Sequence, residues 1–181
     1  MNNYFKEIKI PVTKILDPEF KYYSKKDWLS GLDFCYKIFQ KDFVDKLHAY
    51  DNIIGVRVFR RKANMQINTA HFDVNLDDSS KILYALNIVV PCEDPGIMEW
   101  YSYNDNFISK EANIPLDQLN LEETLVLSTY PAIVRTDIPH RVICGSNDRI
   151  CYSIRFARNK FKNWNEVYEF YQNIESQLGV S

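Results

Sequence analysis

Histidine and cysteine are scarce in this chain of 181 residues, which has three His and four Cys. The cysteines are Cys35, Cys92, Cys144 and Cys151. No two of them form a CxxC pair, so the spacing of a cysteine metal cluster is missing and we expect buried free thiols. Long apolar runs are also missing, since none approaches the roughly 20 residues that span a bilayer.

The chain has no large excess of either charge, because its formal net charge is −2. This balance gives no reason to expect a nucleic-acid or membrane partner. The N-terminal sequence MNNYFKEIKIPV has neither the apolar stretch nor the small-residue cleavage site of a secretory signal. We therefore expect a cytoplasmic protein, and the sequence leaves its oligomeric state open.

Aromatic residues are abundant, with 12 Tyr and 11 Phe, and they supply enough apolar surface for a substantial core. The length favours a single domain over residues 1–181. Two segments have the apolar spacing of helices. The stripe Trp28, Leu32, Tyr36, Phe39, Phe43 and Leu47 predicts a helix over about residues 25–48. A capping signal at Asn163 and a second apolar stripe predict a helix over about 164–178.

The middle of the chain, about residues 53–156, consists of short segments rich in β-branched and aromatic residues. We predict seven strands there: Ile53–Arg61, Met65–Val74, Lys81–Val90, Ile97–Tyr103, Thr124–Ser128, Ala132–Cys144 and Arg149–Phe156. Strands at this spacing indicate an all-β sandwich or barrel, with the helices packed outside one sheet. Residues 104–123 have the weakest pattern, and we expect a loop or lid there.

His71 and Asp73 lie two residues apart in a strand-like segment. Because side chains alternate along a strand, both point to one face, while Phe72 and Val74 point to the other. We expect the apolar pair to pack beneath the helices and the polar pair to face the barrel interior. An unpaired carboxylate there would be strongly destabilising, and a divalent cation that binds both groups offsets this penalty.

A further histidine, His140, lies in a late strand-like segment, 67 residues after Asp73. A chain that folds back across the barrel would bring it to the metal as a third ligand. Two histidines and one carboxylate leave open coordination positions, as in non-haem Fe(II) oxygenases. The alternatives are a salt-bridged histidine at His71 and a histidine at a strand end at His140.

The segment Arg149–Phe156 begins nine residues after His140 and has two different faces. Alternation places Arg149, Ser153 and Arg155 on one face, opposite an apolar face that suits core packing. Two guanidinium groups and a hydroxyl on one face suit an anionic partner. A solvated strand face with surface arginines is the alternative.

Together, residues from about 54 to 156 resemble the double-stranded β-helix oxygenases, cupin-like jelly-roll enzymes that use Fe(II) and 2-oxoglutarate. That superfamily has His-x-Asp/Glu on an early strand, a distal His on a late strand, and an Arg or Lys about nine or more residues later. The corresponding residues here are His71-Phe72-Asp73, His140 and Arg149. The resemblance covers somewhat over half of the chain and implies a mainly β jelly-roll barrel with helices packed outside one sheet.

The resemblance also implies roles for single residues. The implied iron ligands are His71, Asp73 and His140. Arg149, helped by Ser153, would bind the distal carboxylate of the cosubstrate 2-oxoglutarate. Arg155, fifteen residues after His140, is the competing choice for that carboxylate. Asn87 is a further candidate for a hydrogen bond to the cosubstrate, with an outward-facing position as the alternative.

The implied reaction consumes O₂ and 2-oxoglutarate and hydroxylates a C–H bond, with succinate and CO₂ as products. We expect a small polar or anionic metabolite or an amino acid as substrate, because the chain has little spare length for docking a protein. A peptide substrate stays open. The basic candidates for substrate contact are Arg57, Arg60, Arg61, Lys62, Arg135 and Arg141. Trp100, Tyr101 and Tyr103 could line the pocket or fill the core.

Two other classes of protein stay open on the sequence. A cupin-like metalloenzyme that does not use 2-oxoglutarate would keep the three ligands without needing Arg149. A non-catalytic β-barrel binding protein would have His71 and Asp73 as a structural pair only.

Overall fold

The computed structural model describes residues 2–12, 28–29, 31–73, 83–104, 113–127, 130–157 and 161–180. In these ranges the chain forms eleven β-strands and three α-helices. The strands are β1 (Phe5–Glu7), β2 (Trp28–Leu29), β3 (Ile53–Arg61), β4 (Thr69–His71), β5 (Tyr84–Val89), β6 (Ile97–Tyr103), β7 (Asn113–Pro115), β8 (Leu119–Val126), β9 (Ala132–Arg135), β10 (His140–Ile143) and β11 (Arg149–Phe156). The helices are α1 (Gly31–Ile38), α2 (Lys41–Tyr50) and α3 (Trp164–Gln177).

The strands form two antiparallel sheets. One has six strands in the order β1-β9-β5-β11-β3-β2, and the other has five in the order β7-β4-β10-β6-β8. Within the described ranges the two sheets stay separate and no closed barrel is formed. The expectation of a mainly β fold with flanking helices is confirmed at this level.

The helices cover one face of the six-stranded sheet, as predicted. The largest apolar cluster lies there and includes Phe43 and Leu47 of α2, Val167 of α3, and Ile154 and Phe156 of β11. All five side chains are fully buried. A second apolar cluster lies between the two sheets and contains residues from both, among them Met98, Trp100 and Val142. Alternation along the strands of the six-stranded sheet therefore divides their side chains between these two clusters.

The predicted N-terminal helix is two helices in the structure. The chain ends α1 at Ile38 and starts α2 at Lys41, after Gln40 adopts an extended backbone with ψ of 141°. Upstream, residues 28–29 form β2, and residues 25–27 and 30 lie outside the described ranges. The C-terminal helix is confirmed, and the Asn163 side chain caps it by accepting a hydrogen bond from the backbone N–H of Glu166 at 3.1 Å.

Three strands, β3, β6 and β11, have the predicted bounds. The predicted strand Ala132–Cys144 is instead two strands in different sheets, β9 and β10, because the chain bends before Pro139, which lacks a backbone N–H for a ladder. The predicted strand Thr124–Ser128 begins earlier, at Leu119. The expected loop over 104–123 therefore contains β7 and the start of β8, while residues 105–112 lie outside the described ranges.

Phe72 does not pack beneath the helices, so that expectation is wrong. It packs instead beside Ala70, Tyr101 and Ile114, on the outer face of the five-stranded sheet. The physical reason is that its strand, β4, belongs to the sheet that the helices do not cover. Val74 lies outside the described ranges.

All four cysteines are free thiols; Cys92 is half-buried and the other three are buried. No helix in the described part of the chain combines the length and the apolar character needed to cross a membrane.

Candidate active site

A cavity of about 350 Å³ lies between the two sheets. This volume falls within the usual range of small-molecule sites. The seven residues singled out from the sequence all line it: His71, Asp73, Asn87, His140, Arg149, Ser153 and Arg155. The inner faces of both sheets thus bring together side chains that are far apart in the sequence.

The two histidines face each other across a strand pairing. His71 ends β4 and His140 begins β10, and these two residues are direct partners in the antiparallel register. Their ring centroids lie 4.4 Å apart. Directly opposed residues on neighbouring strands present their side chains to the same face, so both imidazoles point into the cavity.

Both imidazoles are held in the neutral form that binds metals. Burial, and then the neighbouring His71, lowers the pKa of His140 to about 4. Burial also lowers the pKa of His71, and the opposing effect of Asp73 does not reverse this. The Nδ1 of His140 lies 2.9 Å from the carbonyl oxygen of Ile138 and can donate to it. That hydrogen bond leaves Nε2 as the free acceptor, an arrangement typical of metal-binding histidines.

Asp73 lies beside the histidines and forms an ion pair with Arg155. The Nη1 of Arg155 donates to Oδ2 of Asp73 at 2.6 Å. Burial by itself raises the pKa of Asp73, but the charge of Arg155 and its hydrogen bond to the carboxylate favour the ionised form, and the pKa is lowered. The backbone N–H of Asp73 donates to the carbonyl of Thr136 at 2.7 Å and fixes the chain there. The carboxylate is therefore ionised at neutral pH and available as a ligand.

The donor set suits Fe(II) in its chemistry, with two neutral imidazoles and one carboxylate on the wall of one cavity. Within the described ranges, however, no three His, Cys, Asp or Glu side chains are already gathered at the spacing of a metal site. The Asp73 carboxylate is held by Arg155, so a bound metal would have to share this group with the guanidinium. The residues present therefore fit Fe(II), provided that the metal and the Arg155 guanidinium share the Asp73 carboxylate.

A second group of polar atoms on the cavity wall has no hydrogen-bond partner in the described part of the chain. It includes Nε of Arg149, Oγ of Ser153 and Oδ1 of Asn87, all buried. Ser153 and Asn87 are direct partners in the register of β11 and β5. Arg149 is only 3% exposed. Buried polar groups without partners are costly, so this group of atoms is suited to a polar ligand that satisfies them.

The structure separates the basic candidates for substrate contact. Arg57 and Arg61 line the cavity, as alternation along β3 predicts. Arg57 is exposed, and its guanidinium lies 5.0 Å from the ring centroid of Phe59. Arg135 pairs with Asp137 at 2.9 Å and does not line the cavity.

The remaining candidates also lie outside the cavity lining. Arg141 faces the outer side of its sheet, where it pairs with Glu99 at 2.5 Å. Arg60 and Lys62 are absent from the lining as well. The three aromatic candidates, Trp100, Tyr101 and Tyr103, belong to the apolar clusters instead. They fill the core, as one of the two sequence interpretations proposed.

Sequence reasoning missed several residues of the cavity wall, among them Phe59, Asn113 and Thr136. Phe59 could have been found, because alternation places it on the same face as Arg57 and Arg61. Asn113 and Thr136 gave no signal. They reach the cavity through the pairing of β7 with β4 and through the bend between β9 and β10.

No family model matches the chain, and no match was found among curated proteins. Any functional assignment therefore depends on the geometry of the cavity and on the sequence resemblance.

Proposed function

We propose that this protein is a non-haem Fe(II)- and 2-oxoglutarate-dependent oxygenase that hydroxylates a C–H bond of a small anionic metabolite or amino acid. The observation that carries the proposal is the convergence of His71 and His140, with ring centroids 4.4 Å apart, beside the ionised Asp73. Three such ligands on one side of a metal leave coordination positions for a cosubstrate and for O₂.

The strand pairing supports a jelly-roll architecture. Leaving out β1, β2 and β7, eight strands remain in chain order. The first of these pairs with the last, the second with the seventh, the third with the sixth and the fourth with the fifth. These pairs are β3–β11, β4–β10, β5–β9 and β6–β8. A long hairpin rolled into two sheets gives this pattern, and a double-stranded β-helix has it.

In the proposed enzyme, His71, Asp73 and His140 would hold Fe(II), which supplies the oxidising chemistry when bound with 2-oxoglutarate and O₂. The chain's own residues orient this centre. The Ile138 carbonyl fixes the ring of His140, and Arg155 holds one oxygen of the Asp73 carboxylate. Met98, Val142 and Cys151 of the apolar cluster between the sheets line the cavity and would help to exclude water from the centre.

Arg149 is the better choice for the distal carboxylate of the cosubstrate. Arg155 already has a carboxylate partner, Asp73, at 2.6 Å. Arg149 has no acidic partner in the described part of the chain, and its Nε is buried without a hydrogen bond. Ser153, on the same face of β11, has a free hydroxyl for the same anion. An anion bound here would satisfy two groups that are otherwise unpaired.

The size and charge of the cavity support a small anionic substrate. Its volume of about 350 Å³ corresponds to roughly a dozen water molecules, which leaves little room beside the cosubstrate. Arg57 lies on the cavity wall and is exposed, so it is accessible to an incoming anion. We propose action in the cytoplasm, where the four thiols would stay reduced.

The test is a succinate-release screen of the Fe(II)-loaded protein against amino acids, nucleotides and small acids. We expect succinate to rise with one class of anionic compound. Under anaerobic conditions, Fe(II) with 2-oxoglutarate should give a weak visible charge-transfer band. Iron binding without this band would indicate a cupin-like metalloenzyme that does not use the cosubstrate.

A non-catalytic binding protein is the competing function, and the Asp73–Arg155 ion pair is the observation in its favour. In that case Asp73 would serve only to neutralise Arg155, and the cavity would bind an anion without iron. Failure of the protein to retain Fe(II) at neutral pH, with the fold intact by circular dichroism, would support this alternative over the oxygenase.

A further inference from the structure

Two arginines of the cavity lie side by side. Arg149 begins β11 and Arg61 ends β3, and they are direct partners in the antiparallel register. Their Cα atoms are therefore about 5 Å apart, and both side chains point to the inner face. Like charges placed directly opposite each other on neighbouring strands are destabilising.

Neither of these two guanidinium groups is neutralised by the protein in the described ranges. The acidic residue that lines the cavity there is Asp73, and it is paired with Arg155. Arg155 lies six residues after Arg149, about 20 Å further along the strand. Asp73 therefore serves the other end of β11 and leaves Arg61 and Arg149 without a counter-charge.

Burial makes this unpaired charge costly. Arg149 is 3% exposed and its Nε has no hydrogen-bond partner among the described residues, while Arg61 is half-buried. Burial, and then the charge of Arg149, lowers the pKa of Arg61. An anion between the two groups would remove the repulsion and supply the missing acceptors, because guanidinium groups bind carboxylates in a bidentate manner.

We propose that Arg61 and Arg149 form one carboxylate-binding site of two arginines, and that this site binds a small dicarboxylate even without metal. The identification of the dicarboxylate as 2-oxoglutarate rests on the proposed function. On that basis Arg61 is a second cosubstrate-binding residue. Arg57, which is four residues earlier on β3, stays free for the substrate.

The test measures dicarboxylate binding to the metal-free protein by calorimetry. Glutarate is the first probe, because it has the two carboxylates of 2-oxoglutarate but lacks the keto oxygen that chelates a metal. We expect Arg61→Gln and Arg149→Gln each to weaken glutarate binding about 10- to 100-fold, as for loss of a hydrogen bond to a charged group. Arg61→Lys should retain part of the affinity.

The matched control is Arg60→Gln, because Arg60 neighbours Arg61 on the same strand and is absent from the cavity lining. This variant should bind glutarate like the wild type. A thermal unfolding series gives a second readout. Without ligand, Arg61→Gln should unfold at the same or a higher temperature than the wild type, since it removes a repulsion.

Three results would overturn the proposal. They are equal glutarate affinity in the wild type and Arg61→Gln, no dicarboxylate binding to the metal-free wild type, and inorganic phosphate bound in preference to glutarate. A failure of the oxygenase assignment looks different. In that case glutarate binding would still depend on both arginines, while the iron-loaded protein would release no succinate with any compound.

Discussion

The two faces of strand β11 differ sharply in their chemistry. On the outer face, Ile154 and Phe156 are completely buried under the helices. On the inner face, six residues apart, Arg149 and Arg155 are buried to almost the same degree. The first pair gains stability from burial, whereas the second pair needs a partner for its charge.

This contrast indicates where stability and function lie in the molecule. One strand joins an apolar layer that holds the domain together to a polar cavity that carries unpaired groups and like charges. Substitutions on the outer face should therefore change the free energy of unfolding. Substitutions on the inner face should change ligand binding and leave the fold largely intact.

The largest expected effect is on the metal. We expect His140→Ala to abolish Fe(II) retention, because the metal loses one of only two imidazoles in the cavity. His48→Ala is the control, since this third histidine lies in α2 and its Nδ1 accepts a hydrogen bond from the N–H of Ile53 instead. Iron content per protein, measured after gel filtration, gives the result. Equal iron in both variants would refute the ligand assignment.

The next effect concerns the outer face. Ile154→Ala should lower the free energy of unfolding by about 2–5 kcal/mol, because it leaves a cavity in the layer beneath the helices. Ser153→Ala, the neighbour on the inner face, should change it much less, since the Ser153 hydroxyl has no hydrogen-bond partner within the ranges that the structure describes. Urea unfolding of the metal-free variants measures both. A larger loss for Ser153→Ala would contradict the contrast between the faces.

A smaller effect is expected at the ion pair of the inner face. Arg155→Gln should weaken Fe(II) binding about 10- to 100-fold, because residues that orient a metal ligand have effects of this size. Arg135→Gln removes an ion pair outside the cavity and should leave iron binding unchanged. Competition with a metal-sensitive dye measures both affinities. Weaker cosubstrate binding with unchanged iron affinity would instead assign Arg155 to 2-oxoglutarate.

A separate effect is a pH dependence of the metal-free fold. Burial and then His71 lower the pKa of His140 to about 4, whereas an unfolded histidine titrates near 6.5. Between these values the unfolded chain binds more protons, so stability should fall as the pH is lowered from about 6.5 towards 4. His140→Asn should lose part of this dependence. Unfolding midpoints at a series of pH values would show an identical slope in both proteins if the histidine is not the cause.

Alternation of side chains explains why the site residues could be located from the sequence. It correctly placed Arg149, Ser153 and Arg155 on one face of β11, and the same rule accounts for Arg57 and Arg61 lining the cavity from one face of β3. It works because a strand between a core layer and a cavity must have two unlike faces. The roles of these residues stay predictions.

The errors in the bounds of strands and helices came from features that depend on the surrounding structure and not on the local sequence alone. Strand β8 was expected only from Thr124, because several polar side chains of this edge strand face solvent and conceal its pattern. The segment before Pro139 changes from one sheet to the other, and local composition does not report which sheet a strand joins. The break at Gln40 between α1 and α2 has no glycine or proline to mark it.

The register gives one further consequence. Among the described residues, the single pair that joins β4 to β10 is His71 with His140, and β7 is attached to the sheet only through β4. A cation bound by these two side chains would link β4 to β10 and stabilise that edge of the sheet. Once the cation is bound, amide protons of β4 and β7 should exchange with deuterated solvent more slowly, while those of the helices keep their exchange rates.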